Sequence, residues 1–363
     1  MKALVRRDAG WPLVSAVTLL VATAGCGEGA ADAPQPGAQD TMESRAELSL
    51  VTPLVQTRNL PTELVVDGTS VYWVELPSLG SDGKSRIFKR SKSTFGIAVP
   101  QQLVAEDGGI SYLMADAQYL YWINQDYVDG EIRVSAHRIS KYGGAVTTVS
   151  GFTSDLHALT MDDAYFYIAY GDDIYRLSKS SGARQVIATA DEGIYFNLLV
   201  DGTHVYWQNY RGIFRAPKAG GSVTQVVAAE QSPDAFVLSG SYIYYLPFAS
   251  TELKRVSKTG GTATTVVRNF RPYGMWTSMS PDRPFAISGN SVYWLDSESR
   301  EWGEGQVLKA NLLTGFTQTI TQAHGVANLA VDSSYVYWTS LGTFTNEWPP
   351  IHNNDGKVLK ALR

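Results

Sequence analysis

The stretch LVVDGTSVYWVEL, Leu64–Leu76, reads as a strand, a tight turn at Asp67-Gly68 and a second strand. β-branched and aromatic residues fill both arms, and Asp-Gly between such arms is a strong short-range hairpin signal. The chain writes this unit seven times. Aligned on the tyrosine of the second strand, the copies centre on Tyr72, Tyr121, Tyr167, Tyr206, Tyr244, Tyr293 and Tyr337. Neighbouring anchors lie 38 to 49 residues apart, the period of a four-stranded propeller blade.

Working outward, each unit has four parts. Strand A ends in a turn, as in LVVDG and LTMDD, and strand B carries the aromatic pair, as in VYW and IYY. Strand C is basic and runs into glycine, as in IYRLSKSSG from Ile174, IFRAPKAGG from Ile213 and LKRVSKTGG from Leu253. Strand D is β-branched, as in VTQVV from Val223. Period-2 alternation over short segments bounded by Gly and Asp supports each assignment. The seventh unit stops within strand C at Arg363, while an orphan strand, VTPLV (Val51–Val55), precedes the first unit. Val51 stands 21 residues before Tyr72, as Val223 stands 21 residues before Tyr244. The expected fold is therefore all-β: a seven-bladed β-propeller over residues 47–363, its last blade closed by the N-terminal strand. Closure removes the open sheet edges that would otherwise pair with other chains.

The YW pairs, with YWTS at Tyr337 and YWLD at Tyr293 as the nearest copies, together with the I-x-R strands, resemble the YWTD propellers of the low-density-lipoprotein-receptor family and related secreted bacterial propellers. The resemblance spans the whole repeat region. It implies a propeller that binds proteins or small ligands.

The N-terminal segment is of another kind. Lys2, Arg6 and Arg7 precede a short apolar run, WPLVSAVTLLVATA, which is signal-peptide anatomy over residues 1–25. The only cysteine, Cys26, follows it, and TAGC (Thr23–Cys26) resembles a bacterial lipobox. Lipidation of Cys26 is expected, with a cut after Ala24 and a free thiol as the alternative. Residues 26–46 are small, polar and Pro-containing, and read as a flexible tether. The expected location is the bacterial cell envelope, lipid-anchored at the outer membrane, the cell surface or the periplasm; the alternative is secretion. Removing residues 1–25 takes out Lys2, Arg6, Arg7 and Asp8 and moves the formal net charge from −5 to −7. That balance argues against nucleic acid as a partner and leaves the membrane to the lipid anchor. A monomer is expected.

Three columns look functional but have structural readings. Trp73, Trp122, Trp207, Trp294 and Trp338 sit beside the anchor tyrosines, on the opposite sheet face, and read as inter-blade core. Basic residues recur in strand C (Lys89, Arg138, Arg176, Arg215, Arg255, Lys309, Lys360) and three positions later (Lys92, Lys141, Lys179, Lys218, Lys258, Leu312, Arg363). Acids end strand A at Asp67, Asp116, Asp162, Asp201 and Asp332, with Ser239 and Ser288 in the other two copies. Turn caps and a paired charge belt account for both. The five histidines are scattered, His137 alone on a strand C.

Function is sought in what the repeat leaves unexplained. The A–B and C–D turns are uniform, whereas the B–C and D–A connections vary and share one face. The long ones are 76–86, 124–132, 268–284, 296–306 and 340–357. They hold Tyr273, Trp276, Trp302, Phe344, Trp348 and His352, the expected binding residues for a protein, peptide or glycan. The expected function is a non-catalytic, membrane-anchored binding module without a cofactor. The alternative is a metal-dependent, lactonase-like hydrolase at the channel mouth, using Glu63, His157, Asn197, Asp234, Arg283 and Asn328 beside Tyr112.

Overall fold

Strand B of the first repeat, Ser70–Leu76, is buried at every residue but its last, so both of its faces are covered. Such a strand needs a sheet neighbour on each side and a second layer on each face, and the ring of blades supplies both. The computed structural model describes residues 51–363 apart from 79–80, 94–98, 153–155, 191–196, 229–232, 273–284, 297–303 and 344–352. Among the described residues there is no helix.

Seven four-stranded antiparallel sheets form the ring, a seven-bladed β-propeller. Blades 1 to 6 span Leu60–Glu106, Gly109–Phe152, Leu156–Thr189, Leu198–Val227, Pro233–Arg268 and Phe285–His324, each ordered A-B-C-D along the chain. Blade 7 takes three strands from Val326–Leu362, and its strand D is Thr52–Thr57, antiparallel to Gly356–Leu362. Thr52 faces Lys360 and Thr57 faces Gly356, so the first and last described strands seal the ring as the orphan strand suggests.

Seven hydrophobic clusters fill the seven seams between neighbouring blades. Within each repeat the adjacent Trp and Tyr point opposite ways, as alternation along a strand requires. Trp73 packs toward blade 7 with Leu54, Val55 and Tyr337, while Tyr72 packs toward blade 2 with Trp122 and Ile139. The five tryptophans are at most 1% exposed. Each contributes a few kcal/mol by burial, on the scale of ~25 cal/mol per Å² of apolar surface.

One expected loop is corrected. Residues 124–132 are strand: B of blade 2 runs Tyr119–Val128 and C runs Glu131–Ser140, joined at Asp129-Gly130. Both turn residues have positive φ, 55° and 87°, the conformation of a two-residue hairpin turn. The ladder continues out to Val128 opposite Glu131, so the hairpin extends past the rest of its blade.

Candidate functional site

The A–B and C–D turns lie together on one face and are locked there. Each of the five aspartates caps its own turn: Asp67 Oδ1 accepts the backbone N–H of Thr69 and Ser70 at 2.8 Å each, and Asp116, Asp162, Asp201 and Asp332 do the same. The other carboxylate oxygen reaches across the seam. Lys141 of blade 2 meets Asp67 of blade 1, Lys179 meets Asp116, Lys218 meets Asp162, Lys258 meets Asp201, and Lys92 meets Asp332 of blade 7. The same ammonium groups lie over the tyrosine rings of the blade they reach, at 4.2 Å for Lys179 over Tyr121.

Burial alone would raise these carboxyls. The lysine and the turn amides outweigh it, holding Asp332 down at about 2 and Asp67 and Asp201 lower still. The tyrosines shift the other way: burial, followed by the adjacent carboxylate, raises Tyr206 to about 12. Where Ser replaces Asp the partner changes too. Arg363 of blade 7 donates to Ser288 of blade 6, and Leu312, buried, stands in the lysine column of blade 6 opposite Ser239. This face is a structural clasp.

The opposite face carries the B–C and D–A connections, which differ widely in length; the longest lie between Arg268 and Phe285 and between Ser340 and Gly356. The stem of the latter is pinned. Asp355 accepts Thr343 N–H at 2.7 Å and Thr343 Oγ1–H at 2.9 Å, and Asn353 N–H donates to Thr343 O at 2.9 Å. Gly342 sits at φ 83°, where a Cβ would collide with Asp355. On this face the B–C tips of blades 2, 4 and 5 present Tyr127, Tyr210 and Phe248, each about two-thirds exposed or more. The expected binding residues Tyr273, Trp276, Trp302, Phe344, Trp348 and His352 lie outside the described residues, as do Arg283 and Cys26.

Most of the residues expected at the channel mouth fall at a recurring bulge in strand A. The ladder skips residues between Pro61 and Leu64, Ser111 and Met114, Leu156 and Ala158, Pro233 and Ala235, and Val326 and Leu329. Glu63, Tyr112, His157, Asp234 and Asn328 fall in those gaps, which re-aims their side chains. Several of these residues stitch neighbouring blades. Glu63 of blade 1 accepts Tyr112 N–H of blade 2 at 3.2 Å, and Tyr112 O–H donates to the carbonyl of His157 in blade 3 at 3.1 Å. Asn197 of blade 4 donates to Phe236 O of blade 5 at 3.1 Å. Thr339 of blade 7 donates to Thr62 O of blade 1 and accepts Asn328 N–H. Glu63 and Asn197 are buried, His157 and Asp234 exposed. Although Asp234 as a whole is open to solvent, protein atoms crowding its carboxyl displace water and raise its pKa. Among the described residues no three His, Cys, Asp or Glu side chains are grouped to hold a metal ion.

Sequence reasoning passed over one constellation. His137, opposite Trp122 in the strand B–C register, lies against Glu106, the last residue of blade 1. The sequence signal is a polar residue opposite a tryptophan: the five tryptophans face Phe88, His137, Phe214, Leu308 and Leu359.

No protein-family model matches the chain, and no curated protein matches it. Solved structures share the fold. The AfRom2 CNH domain is 10% identical, with 86% of this chain and 99% of that chain covered and a TM-score of 0.55. A puromycin hydrolase S511A mutant complexed with PGG is 12% identical, with 77% and 50% covered and a TM-score of 0.55. TolB from Acinetobacter baumannii is 14% identical, with 69% and 63% covered and a TM-score of 0.48. The chain thus spans half the length of the hydrolase and less than two thirds of TolB. For the first two structures, at these identities, the likeness is one of fold alone.

Proposed function

We propose that this chain is a binding module of the bacterial envelope, tethered through a lipidated Cys26, which docks a protein, peptide or glycan on the face of the B–C and D–A connections. The observation that carries the reading is the contrast between the two faces. One is closed by repeated turn caps and inter-blade ion pairs, whose polar groups are already partnered. The other varies from blade to blade, projects the blade 2 hairpin, and offers Tyr127, Tyr210 and Phe248 to solvent. Rigid scaffolds with variable, aromatic-bearing connections are suited to recognition. Trp276, Trp302 and Trp348 belong by sequence to connections of that same face. The rim side chains Glu63 and Asn197 are engaged in holding blades together, which favours the loop face over the channel mouth.

The test is capture of a partner from the parent cell's envelope extract by the full chain, repeated with Trp302→Ala/Trp348→Ala and with Tyr142→Ala, an exposed residue of the blade 2 C–D turn on the clasp face. The reading expects the partner to be lost with the first variant and kept with the second. Equal retention by both removes the loop face as the site. Palmitate labelling that persists in Cys26→Ser removes the anchor.

A further inference from the structure

The seam between blades 1 and 2 holds a polar set that the repeat does not call for. In blades 1 and 4 a phenylalanine stacks on the tryptophan, Phe88 on Trp73 at 5.6 Å and Phe214 on Trp207 at 6.0 Å. In blade 2 the place is taken by His137, edge-on to Trp122 at 5.8 Å. His137 Nδ1 lies 3.0 Å from Glu106 Oε1 and 3.2 Å from Oε2, and its Nε2 lies 2.9 Å from Ser135 Oγ. Serine, imidazole and carboxylate are thus hydrogen-bonded in series.

The carboxylate is held from several sides. Trp122 Nε1–H donates to Glu106 Oε2 at 3.0 Å and Asn124 Nδ2–H at 2.8 Å. Asn124 is fixed in turn by its bond to Asp107 O at 3.0 Å. The turn after Glu106 presses on the blade 2 hairpin. Gly108 has φ 86°, and a Cβ there would collide with Gln125 O, so only glycine brings this turn so close. Burial raises the Glu106 carboxyl, but the bonds from His137, Trp122 and Asn124 outweigh it and keep the group ionised. A carboxylate on Nδ1 places the imidazole proton there and leaves the Nε2 lone pair to accept Ser135 O–H. The set is not sealed: the side chains of His137 and Glu106 are 17% and 16% exposed, and Ser135 is half-buried.

We propose that Ser135 is a nucleophile toward carboxylic esters, with His137 as its base and Glu106 as the residue that positions the imidazole. Ser135 Oγ bonds to the ester carbonyl carbon as its proton passes to His137 Nε2. The ester C–O bond breaks, and that proton leaves on the alcohol oxygen. Water then adds to the acyl-serine, its proton passes to Nε2, and the carboxylic acid departs as the proton returns to Ser135 Oγ. Nothing in this depends on which macromolecule the loop face docks.

The test exposes the full chain to a biotin-linked fluorophosphonate, which phosphonylates an activated serine with loss of fluoride, and maps the adduct by peptide mass spectrometry. The expected result is an adduct on Ser135, absent in Ser135→Ala and formed at least ~10²-fold more slowly in His137→Phe, the scale of general-base assistance. Phenylalanine already fills this place in blades 1 and 4, and a thermal melt checks that the fold is kept; His137→Gln serves if it is not. The positioning role is read by ¹⁵N NMR of His137: the parent chain is expected to show the Nδ1–H tautomer and Glu106→Gln to lose it. An unlabelled Ser135, or equal labelling rates in the parent and histidine variants, overturns the nucleophile. An unchanged tautomer overturns the role of Glu106. Each outcome is independent of the partner-capture experiment.

Discussion

Lys141 Nζ of blade 2 lies 2.7 Å from Asp67 Oδ2 of blade 1, and 5.6 Å from the centre of the Tyr72 ring that the same aspartate holds by its hydroxyl. One lysine therefore touches a turn cap and a core tyrosine of the neighbouring blade at once. Repetition of this contact makes a clasp from isolated turns.

Asp67→Asn keeps an oxygen for the turn amides but removes the charge that Lys141 faces. The two side chains are 23% and 9% exposed, between a surface pair and a fully buried one. The expected loss is about 2 kcal/mol, between the values for exposed and buried pairs broken on one side. Urea unfolding at neutral pH reads it as a lower midpoint with an unchanged slope.

The blade 5–6 seam, with Ser239 and Leu312, suggests a second experiment. Lys258→Leu alone strands Asp201, whose partner sits at 2.9 Å. Adding Asp201→Ser recreates the serine–leucine combination. The double variant is expected to be more stable than Lys258→Leu, with a coupling of about 1 kcal/mol. Additive losses in a double-mutant cycle count against the pairing.

Acid should open the clasp. The folded carboxyl of Asp332 titrates at about 2, and those of Asp67, Asp116, Asp162 and Asp201 are also lowered. An unfolded aspartate titrates near ~3.9. Lowered folded values stabilise the native state above the unfolded value, and that stability is lost as pH falls through the folded one. Glu75 and Asp234, raised by desolvation, have the opposite sign but are outnumbered. The melting temperature is expected to hold from pH 7 to about 5 and to drop between about 4 and 2. Asp332→Asn should make that drop shallower.

The closing strand carries Leu54 and Val55, 2% and 3% exposed against Trp73 and Tyr337. Leu54→Ala is expected to cost about 2–4 kcal/mol. Deleting residues 1–57 bares the edge of Gly356–Leu362, and the expected outcome is self-association seen by light scattering on a sizing column. A monodisperse monomer with the parent melting temperature would contradict the role of this strand.

Much of the fold was legible because it repeats. Seven tyrosine anchors fixed the blades, and the match of Val51 with Val223 located the seal. The acidic and basic columns were visible as well, but their one-blade offset depends on how adjacent blades pack, which no single repeat encodes. Residues 124–132 read as a loop because Gln125 and Asp126 interrupt the apolar alternation, although Asp129-Gly130 marks the hairpin tip. His137 read as a lone histidine because its partner, Glu106, belongs to the neighbouring blade. Strand A bulges were not foreseen, since an extra residue in a ladder leaves no periodic trace in so short a strand.

The seal also orders events in time. Thr52–Thr57 is synthesised ahead of every other described strand and Gly356–Leu362 behind them all, yet the two pair directly. A growing chain can assemble its middle blades from local hairpins, but the seventh must wait for Gly356–Leu362 to emerge. Until then Leu54 and Val55 have no partner strand, and the ring stays an open arc. Contacts between such distant parts of a chain are slow to form, so pairing of Thr52–Thr57 with Gly356–Leu362, rather than formation of the earlier blades, is expected to gate closure of the ring.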